Sequence, residues 1–182
     1  MSDIEYRGVY VRVRRGDLTK TVADALVNPA NSRGVMGGGV AAALKTAGGE
    51  RIERDAMACA PIAVGKAIVT SGGSLLCRYV IHAPTMVNPS EKIHVKAVAQ
   101  AVNAALREAT RANCSSIAFP GMGTGVGGIN APDAGHAMAS AIKFFIAREK
   151  TSLKEIILIA FDEELERAFE QAIAKITDDI LR

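Results

Sequence analysis

Residues 116–130 read SIAFPGMGTGVGGIN, in which a short and mostly apolar run is followed by five glycines within eight positions. The run at residues 116–119 is typical of a central strand that is covered on both faces. Asn130, Pro132 and Asp133 are residues that open helices. This stretch therefore predicts a strand, a glycine-rich loop and a helix in succession, which is the building unit of an α/β fold.

A second glycine cluster, residues 34–39 (GVMGGG), precedes an alanine-rich helical segment. Glycine lets the backbone approach a ligand closely, and a helix N-terminus supplies unpaired N–H groups and a positive dipole. One such loop is most simply explained as a tight turn, whereas two loops that face each other predict a diphosphate site. At Gly38 and Gly125 we expect both a backbone angle that other residues avoid and space that a ligand needs.

Strands and helices alternate along the rest of the chain. Strands are predicted at residues 9–15, 25–28, 66–70, 78–82, 116–119 and 155–161. Apolar residues at steps of three and four predict helices over residues 98–109, 134–145 and 165–180. The resulting fold class is a three-layer α/β/α sandwich. The short strands between residues 66 and 82 can pair antiparallel, which makes the central β-sheet mixed.

Composition narrows the class of protein. A chain of 182 residues with 49% hydrophobic content suits a single domain over residues 1–182. No segment resembles a signal peptide or a membrane span, so we expect a soluble, cytoplasmic protein with no membrane partner. The net charge of +3 suits an anionic ligand. Aromatic residues make up only 4% of the chain and Trp is absent, which makes nucleic acid an unlikely partner.

The sequence gives little support for a protein that binds a metal or a nucleotide cofactor. The three cysteines and three histidines are scattered without metal-ligand spacing, so we predict no structural metal and no cofactor. The spacing Gly123-x-Gly125-x-x-Gly128 also occurs in dinucleotide-binding folds, but those require an acidic residue about twenty positions later. The nearest candidate, Asp162, comes much later. Neither loop ends in Gly-Lys-Ser/Thr, which argues against triphosphate hydrolysis.

Five segments taken in order resemble the macro domain family over nearly the whole chain. They are Gly16-Asp17-Leu18-Thr19, Val27-Asn28-Pro29-Ala30-Asn31-Ser32, Gly37-Gly38-Gly39-Val40, Tyr79-Val80-Ile81-His82, and Phe119-Pro120 with the glycine loop behind it. The resemblance implies a macro domain-like fold that binds ADP-ribose or its derivatives, with ADP-ribosylated proteins among its partners.

The resemblance also implies roles for individual residues. Asp17 would accept a hydrogen bond from the adenine amino group, and Phe161 would lie against the adenine. Asn31 would hold the distal ribose beside the first glycine loop. The implied ligand-binding set is Asp17, Leu18, Asn28, Asn31, Gly37, Gly38, Gly39, Val40, Gly123, Thr124, Gly125, Val126, Gly127 and Phe161, in which residues 124–126 give backbone amides to the diphosphate. Simpler roles are a turn for Asp17, a cap or turn for Asn31 and core packing for Phe161.

Two departures from the family pattern bear on catalysis. Efficient hydrolases of the family often carry Asp after GGGV, where this chain has Ala41, which cannot orient or activate a water. Many relatives carry an aromatic residue at the position of Gly127. We therefore expect ADP-ribose binding with at most weak hydrolysis of ADP-ribosyl derivatives, in which Asn31 would be the catalytic residue.

Two other hypotheses remain open at the level of sequence. The first is an efficient hydrolase: a mono-ADP-ribosyl-protein hydrolase, an O-acetyl-ADP-ribose deacetylase or an ADP-ribose 1''-phosphate phosphatase. The second is a module that binds RNA or poly(ADP-ribose) through Arg12, Arg14 and Arg15.

Overall fold

The computed structural model describes residues 2–176, and within them one seven-stranded sheet forms the centre of the molecule. Its strands are β1 (Ser2–Tyr6), β2 (Val9–Arg15), β3 (Ala25–Asn31), β4 (Ile68–Ser71), β5 (Tyr79–Met86), β6 (Ser116–Phe119) and β7 (Glu155–Ala160). Their order is β1-β2-β7-β6-β3-β5-β4. The five inner strands are parallel, and the edge strands β1 and β4 run antiparallel to their neighbours. The prediction of a mixed sheet is confirmed.

Helices cover both faces of this sheet. They are α1 (Gly39–Gly48), α2 (Arg51–Ala58), α3 (Val95–Arg111), α4 (Ala131–Arg148) and α5 (Glu163–Ile173). Alternate residues of β7 show the two layers: Ile156 and Leu158 pack with α3, α4 and α5, whereas Ile157 and Ile159 belong to the core beneath α1 and α2. Because the central strands are buried on both faces, their apolar runs do not alternate. The three-layer prediction is confirmed.

Some elements differ from the sequence-based prediction. The polar strand β1 and the helix α2 were not predicted. The strand β5 extends to Met86, past Pro84, because β4 pairs only with residues 79–82 of β5 and so needs no N–H donor from the proline. Within the described residues, α5 ends at Ile173. The part of the predicted helix from residue 177 to Ile180 lies outside the described residues.

A crevice opens where β3 and β6 separate. The strand β6 pairs with β3 only at Ala25 and Leu26, so the carboxyl-terminal half of β3 has no partner on that side. After β3 the chain continues through α1 and α2 to β4, and after β6 it continues through α4 to β7, so the two connections run in opposite directions across the sheet. Ligands of open α/β sheets bind outside the carboxyl ends of the strands at such a switch point.

Candidate functional site

A cleft of about 1170 Å³ occupies this crevice. Its walls come from the turn at residues 16–19, the first glycine loop with the start of α1, the end of β5 with the residues that follow, and the second glycine loop. Phe161, directly after β7, completes the lining. We call the side of the cleft at the ends of β2 and β7 the Asp17 end, and the side at the ends of β3 and β5 the Asn31 end. The two glycine loops therefore face one cleft.

Most residues of the predicted binding set line this cleft. They are Asp17, Leu18, Asn31, Gly37, Gly38, Gly39, Val40, Gly123, Thr124, Gly125, Val126, Gly127 and Phe161. Their lining positions are observed, whereas their contacts with a ligand remain a prediction.

Asn28 is the one residue of the predicted binding set that does not line the cleft, and its role in binding stays a prediction. Its side chain is only 1% exposed, and its Nδ2 lies 3.1 Å from Nδ1 of His82. The other ring nitrogen of His82 lies 3.0 Å from Oγ1 of Thr70. This buried chain joins β3, β5 and β4, and burial lowers the pKa of His82 to about 4. Asn28 thus fixes the sheet beneath the site.

The first glycine loop is held from both sides. Asn31 donates from Nδ2 to the carbonyl of Val35 at 2.8 Å, and its Oδ1 accepts from the amide of Arg33 at 3.0 Å. From α2, Glu53 accepts a 2.7 Å hydrogen bond from the amide of Met36. The Asn31 side chain therefore organises a turn, as the simpler alternative proposed, while the residue also borders the cleft.

The start of α1 carries unused donors at the cleft. Its N-cap is Gly38, which has no side chain that could accept a hydrogen bond from the first N–H groups. The first N–H groups of a helix have no partner within the helix. Gly39 and Val40, the first two residues of α1, line the cleft, so the positive end of α1 borders it.

The second glycine loop is folded tightly on itself. Gly123 has φ +80°, and its carbonyl accepts from the amide of Ile129. A Cβ at Gly127 would lie 2.8 Å from the carbonyl oxygen of Gly123, so this loop conformation excludes the side chain that many relatives carry there. By contrast, a Cβ at Gly125 would meet nothing within 4 Å.

The expectation for the backbone at Gly38 and Gly125 was half right. A Cβ at either position meets open space, as a ligand-facing loop requires. Their backbones are not in the left-handed region: Gly38 has φ −160°, which any residue adopts. In the two loops, the positive φ angles fall instead on Gly34, Gly39, Gly123 and Gly128.

The Asp17 end combines a carboxylate with an aromatic face. Asp17 accepts through Oδ1 from the amide of Thr19 at 2.8 Å and from its hydroxyl at 2.7 Å. These bonds hold the pKa of the Asp17 carboxyl below its usual range. Phe161 is 70% exposed, so core packing does not account for it. An ionised acceptor and a free ring face thus share one end of the cleft.

Ionisable groups are scarce in the cleft. Among its lining residues in the described part of the chain, only Arg15 and Asp17 carry ionisable side chains. Ala41, in the first turn of α1, lines the cleft and supplies no acid or base. Among residues 2–176, no three or more His, Cys, Asp or Glu side chains come together as a metal site. No helix in that range is long and apolar enough to cross a membrane.

The arginines of β2 are engaged within the chain. Arg12 and Arg14 both form ion pairs with Asp3, and Arg15 lies 3.5 Å from Glu166. An RNA- or poly(ADP-ribose)-binding strip would need unpaired positive charge here. The structure therefore gives that hypothesis little support.

Sequence reasoning missed the wall formed by the end of β5. Thr85, Met86, Pro89 and Ser90 line the Asn31 end of the cleft. Pro84 predicts the end of a strand, so the sequence-based prediction assigns no role to the residues after it. Of residues 83–86 only Thr85 is of a strand-forming type, so the local sequence carries no clear signal for this wall.

The chain belongs to the macro domain family, because the family model described as Macro domain matches residues 27–138. An uncharacterized protein of Aquifex aeolicus is 45% identical over 163 residues, which cover 90% of this chain and 97% of that protein.

Solved macrodomain structures share the fold. The Trypanosoma brucei macrodomain in complex with ADP-ribose is 26% identical, with a TM-score of 0.81 over 90% of this chain and 68% of that one. A mutant of the Oceanobacillus iheyensis macrodomain with ADPR is 23% identical, with a TM-score of 0.85 over 95% and 96% of the two chains.

Proposed function

We propose that the cleft binds ADP-ribose, either free or attached to a protein. The observation that carries this proposal is the pair of glycine loops on one cleft, with unobstructed backbone at Gly38 and Gly125. The ADP-ribose complex of the Trypanosoma brucei macrodomain supports the choice of ligand.

The loops would hold the diphosphate through backbone groups. The amides of Gly39 and Val40 lie at the positive end of α1, and the amides of Thr124, Gly125 and Val126 belong to the opposite loop. Such N–H groups are preorganised anion donors, and the absence of side chains lets phosphate oxygens approach them closely. Both loops are therefore phosphate-binding loops in this proposal.

The two ends of the cleft would accommodate different parts of the ligand. At the Asp17 end, the free Oδ2 of Asp17 would accept from the adenine amino group while Phe161 lies against the ring. The distal ribose would occupy the uncharged Asn31 end, between the first glycine loop and the end of β5. The chemistry of the two ends supports this orientation of the ligand in the cleft.

The scarcity of ionisable groups favours a binding protein over an efficient hydrolase. No lining residue at the Asn31 end, where the reacting bond of an ADP-ribosyl derivative would lie, can serve as a general base. Any hydrolysis would depend on positioning by Asn31 and on water polarised by the substrate's own phosphate. Incubation with mono-ADP-ribosylated protein and acetylated ADP-ribose should yield slow or no turnover, and fast multiple turnover would contradict this assignment.

The variant Gly125→Glu tests binding in the cleft. Its backbone is outside the left-handed region and its Cβ meets open space, so the variant should fold. The new carboxylate would repel the diphosphate. ADP-ribose should raise the Tm of the wild type and leave that of Gly125→Glu unchanged. The matched control is Gln171→Glu, which adds the same charge at an exposed position outside the cleft and should respond like the wild type. A Tm increase in folded Gly125→Glu equal to that of the wild type would refute the proposal.

A further inference from the structure

The wall at the Asn31 end of the cleft contains a β-bulge, near the end of β5. In the parallel pairing of β3 with β5, Ala30 lies opposite Pro84 and Asn31 lies opposite Met86. Thr85 is therefore an extra residue on β5, with no partner on β3. Bulges occur next to binding sites, where they re-aim a side chain away from the regular alternation of the strand.

The hydroxyl of Thr85 is buried without a hydrogen-bond partner. The residue is 2% exposed and lines the cleft, and its Oγ1 has no partner among residues 2–176. Thr70, similarly buried on β4, contacts His82 through its own hydroxyl. Buried polar groups are nearly always paired, and leaving one unpaired destabilises the protein. A Thr85 hydroxyl beside an open cleft thus points to a partner that arrives with the ligand.

The other unpaired side-chain atoms lie elsewhere. Among residues 2–176 they belong to Asn28 and Asn103, neither of which lines the cleft, whereas the buried Nε of Arg12 lies 2.5 Å from Glu155. Thr85 is therefore the one member of this group that a ligand in the cleft can satisfy.

We propose that Thr85 is a specificity-determining residue that hydrogen-bonds a hydroxyl of the sugar at the Asn31 end. The inference rests on the proposed binding of ADP-ribose. A threonine hydroxyl both donates and accepts, as a ribose hydroxyl does, whereas an ionised phosphate only accepts. The surrounding wall of Asn31, Met86 and Pro89 carries no charge that would favour an anion. Thr85 therefore favours the binding of ligands that carry a distal sugar over ligands that end at the diphosphate.

The test compares ADP-ribose with ADP, which lacks the distal sugar. Thr85→Val replaces the hydroxyl by a methyl group of similar size, so it should weaken ADP-ribose binding about five- to tenfold while ADP affinity stays unchanged. The Tm of the ligand-free variant should stay equal or rise, because an unpaired buried hydroxyl has been removed. Thr85→Ser keeps the hydroxyl and should retain the preference for ADP-ribose.

Thr70→Val is the matched control. It removes a buried hydroxyl that has a partner in His82 and lies outside the cleft, so it should lower the Tm without changing the ratio of the two affinities. Three results for Thr85→Val would overturn the inference: no loss for either ligand, an equal loss for both, or a lower Tm with an unchanged ratio. In each case the wild type still binds ADP-ribose and the proposed function stands. A wild type that fails to bind ADP-ribose overturns the proposed function and this inference with it.

Discussion

At the scale of single residues, Asp17 has two tasks that one substitution can separate. Its Oδ1 holds the turn through Thr19, while its Oδ2 is free for adenine in our proposal. Asp17→Asn keeps an oxygen for the turn and replaces the other oxygen by an amide donor. The affinity for ADP-ribose should fall by about 1.5–3 kcal/mol, the range for hydrogen bonds to charged groups. Calorimetric titration of the two proteins gives the difference.

The hypoxanthine analogue of ADP-ribose is the complementary ligand for this test. Its ring carries a carbonyl in place of the amino group, so it should bind the wild type more weakly than ADP-ribose does. Asp17→Asn should reduce that preference, since its amide can donate to the carbonyl. Equal wild-type affinity for the two ligands would show that Asp17 does not contact the adenine amino group.

Asn28 and Asn31 show a limit of predicting cleft residues from a sequence motif. Both belong to one sequence motif, yet only Asn31 borders the cleft, because Asn28 is opposite His82 in the β3–β5 register and turns into the sheet interior. Glycine positions were easier to assign, since open backbone is a property of the residue itself. Asn28 and Asn31 are three residues apart on β3, so strand alternation turns them to opposite faces, but the predicted strand ended at residue 28.

At the scale of elements, α2 supports the first glycine loop from behind. Glu53 accepts from the amide of Met36 at 2.7 Å and from Lys45 Nζ at 3.0 Å. These bonds lower the pKa of the Glu53 carboxyl, which therefore stays ionised at neutral pH. Glu53→Ala should speed hydrogen exchange of the Met36 amide by about tenfold and weaken ADP-ribose binding, because the loop loses its anchor.

Asp55→Ala is the control on the same helix. Asp55 is partly exposed and pairs with Arg51 of α2, away from the loop, so its removal should leave the exchange at Met36 unchanged. Unchanged exchange at Met36 in Glu53→Ala would mean that the loop keeps its conformation without α2.

The polar chain across β3, β5 and β4 makes stability depend on pH. Burial lowers the pKa of folded His82 to about 4, whereas unfolded histidine titrates near about 6.5. The unfolded state binds more protons between these values, so the free energy of unfolding falls as the pH drops through this window. From pH 7 to pH 5 the His82 contribution should be a loss of about 2 kcal/mol.

His82→Gln removes this titration while leaving a donor and an acceptor for Thr70 and Asn28. Urea unfolding of both proteins at pH 7 and pH 5 measures the effect. The variant should lose less stability than the wild type over this interval. An identical loss in both proteins would assign the pH dependence to other groups.

At the scale of the whole molecule, sequence alone predicted the layers and both loops but not the cleft itself. The unalternated run at residues 155–160 and the helical periodicity after β6 were sufficient for the three-layer fold. The cleft exists because β6 pairs with β3 only at Ala25 and Leu26, and its far wall exists because β5 continues past Pro84 into the bulge at Thr85. Both features depend on pairing between strands that are distant in the chain, and the hydrophobic periodicity of the sequence does not reveal such pairing.

Calorimetry with ADP-ribose, ADP and AMP at matched concentrations tests the central claim most directly. If the cleft holds adenine at the Asp17 end, the diphosphate between the loops and the distal ribose at the Asn31 end, each added group should contribute. We predict one ADP-ribose bound per chain, with affinity decreasing from ADP-ribose to ADP to AMP. No binding of ADP-ribose, or equal affinity for ADP-ribose and AMP, would contradict the account.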